Sequence, residues 1–491
     1  MKAVVLGAGF AGLAAAAELA RQGLDVTLLE QQPHLGGKAS EHRAHGYRFD
    51  TGPHLFTLPD IYRSLFTADD PVKPVAMLPL EPLTRYFFPP SRTWDVYFET
   101  GDSPKTTSGL TDKEATTYLA LRNEAKKLFA GAADTFLYGS APSLWDLFVY
   151  GMREGLRSHP LKTLPQLLRA HGASEDLEQF FLRFATYFGA DPYRAPAILH
   201  NIAWVELGHG AFHPVGGIAA VIGSLQALAE ARGVDIRCRT RVTGLQTHSK
   251  QISCVQTDQG DIAADVVVSA LDIIRTTQLL GKTSPLSNLE PSLSGFVMLL
   301  GVRGESSELS HHNISFAPDY RREFADIAAG QLPQDPTIYI SISSKSAPED
   351  APEGCENWFI LVNAPPQKKP APQDPFEPFT QADNREQMYA SHIIDVLERR
   401  GFNIKNRLEH QHILPPRYLT RFAHFGSIYG VAPHSLLRTI RPKPRLMGIK
   451  NLYLAGGTVH PGGGMPLAMQ SGKNAAAAVC RRYHLDTHAE H

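Results

Sequence analysis

Near the start of the chain, Gly7-Ala8-Gly9-Phe10-Ala11-Gly12 and an acid eighteen positions further on, Glu30, have the types and spacing to hold a dinucleotide. Gly7 permits a tight bend, Gly9 lets the backbone approach a pyrophosphate, and Gly12 lets the following helix lie close on the preceding strand. N–H groups free at the helix start face the phosphates. A carboxylate at Glu30 accepts both hydroxyls of an adenosine ribose. It would repel a 2′-phosphate, and Gln31 and Gln32 supply no compensating arginine, which argues against NADP.

These residues need a strand, a turn, a helix and a second strand in that order. Lys2 to Leu6 reads as a short buried strand, Leu13 to Gln22 as an alanine-rich helix, and Asp25 to Glu30 as the second strand. Beyond the acid, Gly36, Gly37 and Lys38 suit a cofactor running onward in an extended shape, FAD rather than NAD, with Lys38 meeting a pyrophosphate oxygen as a point charge. Gly46 to His54 gives a brief strand and a rigid turn through Gly52 and Pro53. Phe212 to Gly217 leads into a helix, Ala219 to Arg232, and strand signals follow at 234–239, 241–248, 251–257 and 261–269. The backbone around Val242 can edge an adenine. At the far end, Asn451 to Ala455 reads as a strand, Gly456 to Gly464 as a glycine-rich turn, and Met465 to Arg481 as a small-residue helix. Such a turn points backbone donors at an anionic or electron-rich ring edge.

Size and composition bound the alternatives. At 491 residues two or more lobes are expected, and a net charge of -1 removes an electrostatic case for nucleic acid. Cys238, Cys254, Cys355 and Cys480 form no C-x-x-C, so a reducing cytosol is expected, with no disulfide or zinc framework. His311-His312 and His410/His412 lack a second ligand cluster at metal spacing and read as solvated loop or strand histidines; no metal is expected. Ala14 to Ala17 formally fits a signal-peptide site, but the glycine spacing explains the same residues better. No stretch approaches the ~18 apolar residues of a spanning helix, so a soluble or peripheral protein is expected.

The middle of the chain reads as a second lobe. Leu55 to Phe66 is helix or loop, Pro71 to Pro90 a proline-punctuated crossing, Trp94 to Glu99 a strand edge, and Thr111 to Phe129 a helix opened by a capping box. Within Leu144 to Leu168, Leu144, Leu147, Phe148, Met152 and Leu156 fall on one helical face, and Arg153, Arg157, His159 and Lys162 gather after it. A basic amphipathic helix of this kind can lie in a membrane interface or dock on its own core. Strands are expected at 295–302, 337–343 and 358–362, a proline-rich surface loop at 365–378, and an amphipathic helix at Glu386 to Arg400, stopped by Gly401.

With both ends in view, the chain resembles the phytoene desaturase family of FAD-dependent carotenoid oxidoreductases, within the wider amine-oxidase-like flavoproteins. The likeness runs nearly end to end through Gly7 to Gly12, Gly36-Gly37-Lys38, Phe49 to Pro53, Pro214 to Gly217, Gly426 to Gly430 and Gly457 to Gly472. His460-Pro461-Gly462-Gly463-Gly464-Met465-Pro466 followed by Ser471-Gly472 is its most specific part, and Gly456 to His460 looks closer to the hydroxycarotenoid 3,4-desaturases than to bacterial phytoene desaturases.

The resemblance implies an α/β, two-lobed flavoprotein with a Rossmann-like FAD-binding domain (1–68, 212–284, 426–491) and an interleaved α+β substrate domain (69–211, 285–425). It implies FAD contacts at Gly7, Gly9, Phe10, Ala11, Gly12, Glu30, Gly36, Gly37, Lys38, Gly52, Pro53, Val242, Gly457, Gly464 and Met465. It further implies hydride transfer from an allylic carbon of a long polyene to flavin N5, with His54 or His460 placed to take the accompanying proton. A membrane-dissolved carotenoid, peripheral contact with the inner face of the cell membrane, and oxygen or a quinone as electron acceptor complete the expectation. The family's isomerases and terminal-methyl oxidases, an amine-oxidase-like enzyme and a non-enzymatic prenyl-group binder remain the alternatives.

Overall fold

The computed structural model describes residues 1–98, 107–155, 157–367, 382–445 and 448–485. A five-stranded parallel sheet runs in the order Leu452–Leu454, Val266–Ser269, Lys2–Leu6, Asp25–Leu29, Asp235–Arg237. Short apolar strands suit a sheet covered on both faces. Ala3 and Val5 point to one side, into a core shared with helices Phe10–Arg21, Gly217–Ala231 and Met465–Tyr483. Val4 and Leu6 point to the other, against Leu245, Ile252 and Val255 of an antiparallel three-stranded sheet.

The first and last helices pack closely because both offer small residues. A β-carbon on Gly472 would lie 2.3 Å from the Ala11 carbonyl oxygen and 3.0 Å from Ala14 Cβ. Gly12, expected to bring the helix close to the strand, is pressed against the turn between them: a β-carbon there would fall 1.8 Å from the Gly7 carbonyl oxygen. The turn is tied down by the Gly7 N–H, which donates to the Leu29 carbonyl at 2.8 Å.

The second sheet has seven strands in the order Leu408–Leu414, Ser294–Arg303, Cys355–Ala364, Ile338–Ile342, His312–Ser315, Thr84–Phe88, Arg92–Val96. All neighbours are antiparallel except His312–Ser315 with Thr84–Phe88. Alternation along Ser294–Arg303 sends Phe296, Met298, Leu300 and Val302 into a core with Ile393, Val396 and Leu397 of helix Asn384–Arg399. Gly295 and Val297 face the other way, into a cavity.

A helical layer covers that cavity. Its longest helix, Asp112–Ala133, opens with the expected capping box: the Thr111 side chain accepts from the Glu114 N–H, and the Glu114 carboxylate accepts from the Thr111 N–H.

Several expectations shift. The crossing at 71–90 contains two strands, Met77–Pro79 and Thr84–Phe88, and the strand expected from Trp94 starts at Arg92. The signal at 261–269 splits into Ile262–Ala263 and Val266–Ser269. Most of the proline-rich stretch at 365–378 lies outside the described residues, as do Glu99 and Leu156.

Candidate functional site

A cavity of about 1300 Å³ lies between the two sheets. Its cofactor end is built by the turns that the sequence singled out. Gly7, Gly9, Phe10 and Ala11 contribute from the first turn and Gly36, Gly37 and Lys38 from the next; Gly52, Pro53, His54 and Val242 come from the central segments, and Gly457, His460, Gly464 and Met465 from the last. Gly12 is the exception: it packs beneath the first turn and does not line the cavity.

This end has the shape and chemistry for a dinucleotide. A β-carbon on Gly9 would meet only the Gly36 carbonyl oxygen, at 3.8 Å, and one on Gly464, which sits at φ +103°, would have nothing within 4 Å. Backbone can therefore approach a bound group at both turns. The first-turn N–H groups of helix Phe10–Arg21 lack intrahelical acceptors and lie at the cavity wall. Glu30 is buried and fixed: Oε2 accepts from the Ala8 N–H and Oε1 from the Gln32 N–H, both at 2.9 Å. The lone pairs left on its oxygens can take the ribose hydroxyls.

Lys38 lines the cavity and is anchored there: its Nζ uses one of three N–H donors on the Ile428 carbonyl at 2.7 Å, and burial, partly offset by Asp272, lowers its pKa to about 8. Cations that the local sequence did not foretell also line this end. Arg241, Arg275 and Arg421 arrive from distant segments, with Arg275 donating to the carbonyls of Thr420 and Arg421, and Arg421 Nη2 reaching Gln32 Oε1 at 3.0 Å. Gln32 thus has an arginine for a neighbour after all, brought from nearly four hundred positions away.

His54 and His460 stand on the wall in neutral form. His54 Nδ1 lies 3.0 Å from the Gly52 carbonyl, which fixes the proton on Nδ1 and leaves the lone pair on Nε2. His460 Nε2 lies 3.3 Å from the Gly139 carbonyl, which leaves its Nδ1 as the acceptor. Burial lowers their pKa values to about 3 and about 4.

The rest of the cavity is mostly apolar. Its floor is the sheet face bearing Val297, Phe359 and Leu361, and its roof carries Ile198, Ile202 and Val205. A mouth opens beside Leu147, Tyr150, Leu436 and Leu437. There the amphipathic helix, Leu144–Glu154, does not present one apolar face as expected. Leu147 turns to the cavity, while Trp145, Phe148 and Met152 are 69%, 57% and 74% exposed, in company with Leu161 at 95% and Leu437 at 82%. Arg153, Arg157 and Lys162 are exposed, but His159 pairs with Glu124 at 2.8 Å and leaves the basic cluster.

The paired histidines correct another expectation. His311 and His312 are not solvated but 6% and 0% exposed, within a buried group that also holds His54 and His213. His410 and His412 are half-buried and stack on His42, with ring centroids 5.8 and 4.3 Å away. No local pattern places His42 there; it arrives on the strand Glu41–Ala44.

Comparison with known proteins agrees with this architecture. The family described as flavin containing amine oxidoreductase matches residues 10–291 and 370–480. A 1-hydroxycarotenoid 3,4-desaturase of Flavobacterium sp. is 30% identical over 97% of this chain and 99% of its own. A 4,4'-diaponeurosporene oxygenase of Staphylococcus haemolyticus is also 30% identical, covering 97% of each. Among solved structures, a putrescine oxidase variant superposes with a TM-score of 0.63 at 14% identity, over 98% of this chain and 99% of that one. Cyclohexylamine oxidase from Brevibacterium oxydans gives 0.61 at 15%, with the same coverage. These last two share the fold.

Proposed function

Because the chain belongs to the flavin containing amine oxidoreductase family, among its carotenoid desaturase-like members and with FAD as cofactor, we propose that it is a carotenoid desaturase. It takes two hydrogens from adjacent carbons of a membrane-dissolved polyene, in carotenoid biosynthesis. The lobes interleave, with 1–68, 212–284 and 426–491 holding FAD and 69–211 and 285–425 holding the substrate.

One observation supports this above the rest. The glycine turns and a large, mostly apolar chamber belong to a single cavity, and exposed apolar side chains stand on its lining and nearby. A small polar amine needs neither the volume nor the greasy rim, whereas a hydrocarbon leaving a bilayer needs both.

FAD, when bound, accepts hydride. The chain's own residues do the rest. The turns at Gly9 and Gly464 and the carboxylate of Glu30 hold and orient the cofactor. Val297, Phe359 and Leu361 align the polyene and exclude water. His54 Nε2 and His460 Nδ1 offer lone pairs to the proton that is lost. Their low basicity is no obstacle, because a carbon beside developing positive charge is strongly acidic, and a neutral imidazole adds no cation to the wall before it is needed.

The exposed patch at Trp145, Phe148, Met152, Leu161 and Leu437, with Arg153, Arg157 and Lys162 nearby, supports peripheral docking on a membrane. Among the described residues no helix is long and apolar enough to cross one. Electrons pass on to oxygen or a quinone.

Terminal-methyl oxygenation is the second reading, favoured by the equal identity to a 4,4'-diaponeurosporene oxygenase. The deciding experiment mixes the FAD-loaded protein anaerobically with liposomes carrying one carotenoid at a time. Desaturation bleaches the oxidised flavin, red-shifts the polyene and lowers its mass by two hydrogens. A product that gains oxygen in air establishes the second reading, and a yellow protein that no carotenoid bleaches defeats both.

A further inference from the structure

The proposed desaturation releases a proton inside an apolar cavity, and that proton has to reach solvent before the next turnover. Four side chains form a route from cavity wall to surface. Tyr339 lines the cavity, and its hydroxyl lies 2.8 Å from Nδ1 of His312. The His312 and His311 rings meet edge to face, with centroids 4.5 Å apart. His311 Nδ1 lies 2.8 Å from Ser346 Oγ, and Ser346 is partly exposed.

Buried polar atoms are nearly always paired, so the ones that are not carry information. Nε2 of His311 and Nε2 of His312 are both buried without a protein hydrogen-bond partner, as is Nε2 of His213, whose ring centroid is 4.9 Å from that of His311. The hydrogen bonds that do exist are compatible with one complementary pair of tautomers. His312 accepts from the Tyr339 hydroxyl at Nδ1 and carries its hydrogen on Nε2; His311 donates from Nδ1 to Ser346 and keeps its lone pair on Nε2. One unpartnered nitrogen is then a donor and the other an acceptor, the complementary pair that one bridging water requires.

We propose that Tyr339, His312, His311 and Ser346 form a relay that carries the proton lost by the substrate from the cavity to solvent. This rests on the desaturase reading. The C–H bonding pair left behind becomes the new C=C bond, and the proton is taken up at Tyr339 Oη, which replaces His54 and His460 as its first acceptor. The tyrosine's own O–H proton passes to His312 Nδ1, the Nε2 proton of His312 to His311 Nε2 through the water, and the Nδ1 proton of His311 to Ser346 and out. One proton crosses, no side chain keeps a net charge, and the two imidazoles exchange tautomers, returning by water-mediated exchange before the next cycle. Burial and the neighbouring imidazoles hold both relay histidines well below the ordinary histidine pKa, which keeps them neutral at rest as the route requires. Arg183, His54 and His213 contribute to that field.

Two measurements test the relay on the full-length, FAD-loaded protein. The first is the nitrogen NMR of its histidine side chains without substrate. It should find His312 as the Nε2–H tautomer and His311 as the Nδ1–H tautomer, with His312 shifting in Tyr339→Phe; either histidine protonated at neutral pH, or both in the same tautomer, overturns the relay. The second is anaerobic single turnover with a polyene that bleaches the wild type. Tyr339→Phe and His312→Ala should each slow double-bond formation about a hundredfold, with polyene affinity and the flavin spectrum unchanged, and added imidazole should restore His312→Ala. Rates equal to wild type, or slowing that follows lost polyene or FAD binding without imidazole rescue, overturn the relay alone. A wild type that bleaches with no polyene overturns the desaturase reading, and the relay with it.

Discussion

Gly472 on the last helix and Ala11 on the first approach so closely that a single β-carbon would lie 2.3 Å from the Ala11 carbonyl oxygen. The obstacle would be backbone, which cannot swing aside as a side chain can. Gly472→Leu is therefore expected to force apart the helices that carry the first and last glycine turns, at a cost of about 1–3 kcal/mol. Calorimetry should show a lower Tm, and the purified protein should hold less FAD. An unchanged Tm would contradict the packing.

Glu30 holds its carboxylate on two backbone N–H groups while its remaining lone pairs face the cavity. Glu30→Ala removes the proposed ribose acceptors and leaves the Ala8 and Gln32 N–H groups without their partner. Charge-assisted hydrogen bonds contribute about 1.5–3 kcal/mol, so FAD affinity is expected to fall roughly tenfold to a hundredfold. Titration of the apoprotein by flavin fluorescence quenching measures this directly, and an unaltered Kd would remove Glu30 from the site.

His200 has no exposed surface, lies 2.8 Å from the Leu121 carbonyl through Nε2, and is lowered by burial from the ordinary 6.5 to about 4. The unfolded chain takes up a proton below about pH 6.5, whereas the folded chain resists until about pH 4. Its contribution is therefore intact above pH 6.5 and is lost, by about 3 kcal/mol, as the pH falls through that window. Asp50 and Glu323, raised by burial to about 6 and about 7, run the opposite way and gain stability as the pH falls. Comparing wild type with His200→Gln isolates the histidine: Tm plotted against pH should fall less steeply below 6.5 in the variant, and parallel curves would refute the assignment.

Trp145, Phe148 and Met152 leave their apolar surface in water beside the cavity mouth. Changing all three to serine is expected to reduce sedimentation with anionic liposomes at least about tenfold, since full burial of even one such side chain contributes roughly 1.5–3 kcal/mol. Replacing Arg153, Arg157 and Lys162 by glutamate should weaken binding further at low salt. Turnover of detergent-solubilised substrate should survive both sets, and equal sedimentation would point the patch at some other partner.

What could be read in the sequence was local. The strand Lys2–Leu6, the turn after it, the Thr111 capping box and the last glycine turn are each written in a few consecutive residues, because backbone conformation at those places depends on neighbours in the chain. The seven-stranded sheet was not legible in the same way. Its parallel pairing of His312–Ser315 with Thr84–Phe88 joins segments whose partnership no local propensity encodes. His311 and His312 were misjudged for that reason: as a polar dipeptide they look solvated, and only the assembled sheet buries them. Arg275, Arg421 and His42 reached their places by the same long-range route, as did the Ile428 carbonyl that Lys38 meets.

The order of the parallel sheet also bears on how the molecule is made. Strand Lys2–Leu6 leaves the ribosome long before Leu452–Leu454 and the helix that seals the glycine turns, from which it is separated by most of the described chain. At about 5–20 residues per second, the nascent nucleotide-binding turn waits tens of seconds with apolar surface uncovered. Translation thus produces a long-lived half-built sheet, a natural client for chaperones, and FAD can be gripped from both sides only after Met465–Tyr483 has emerged.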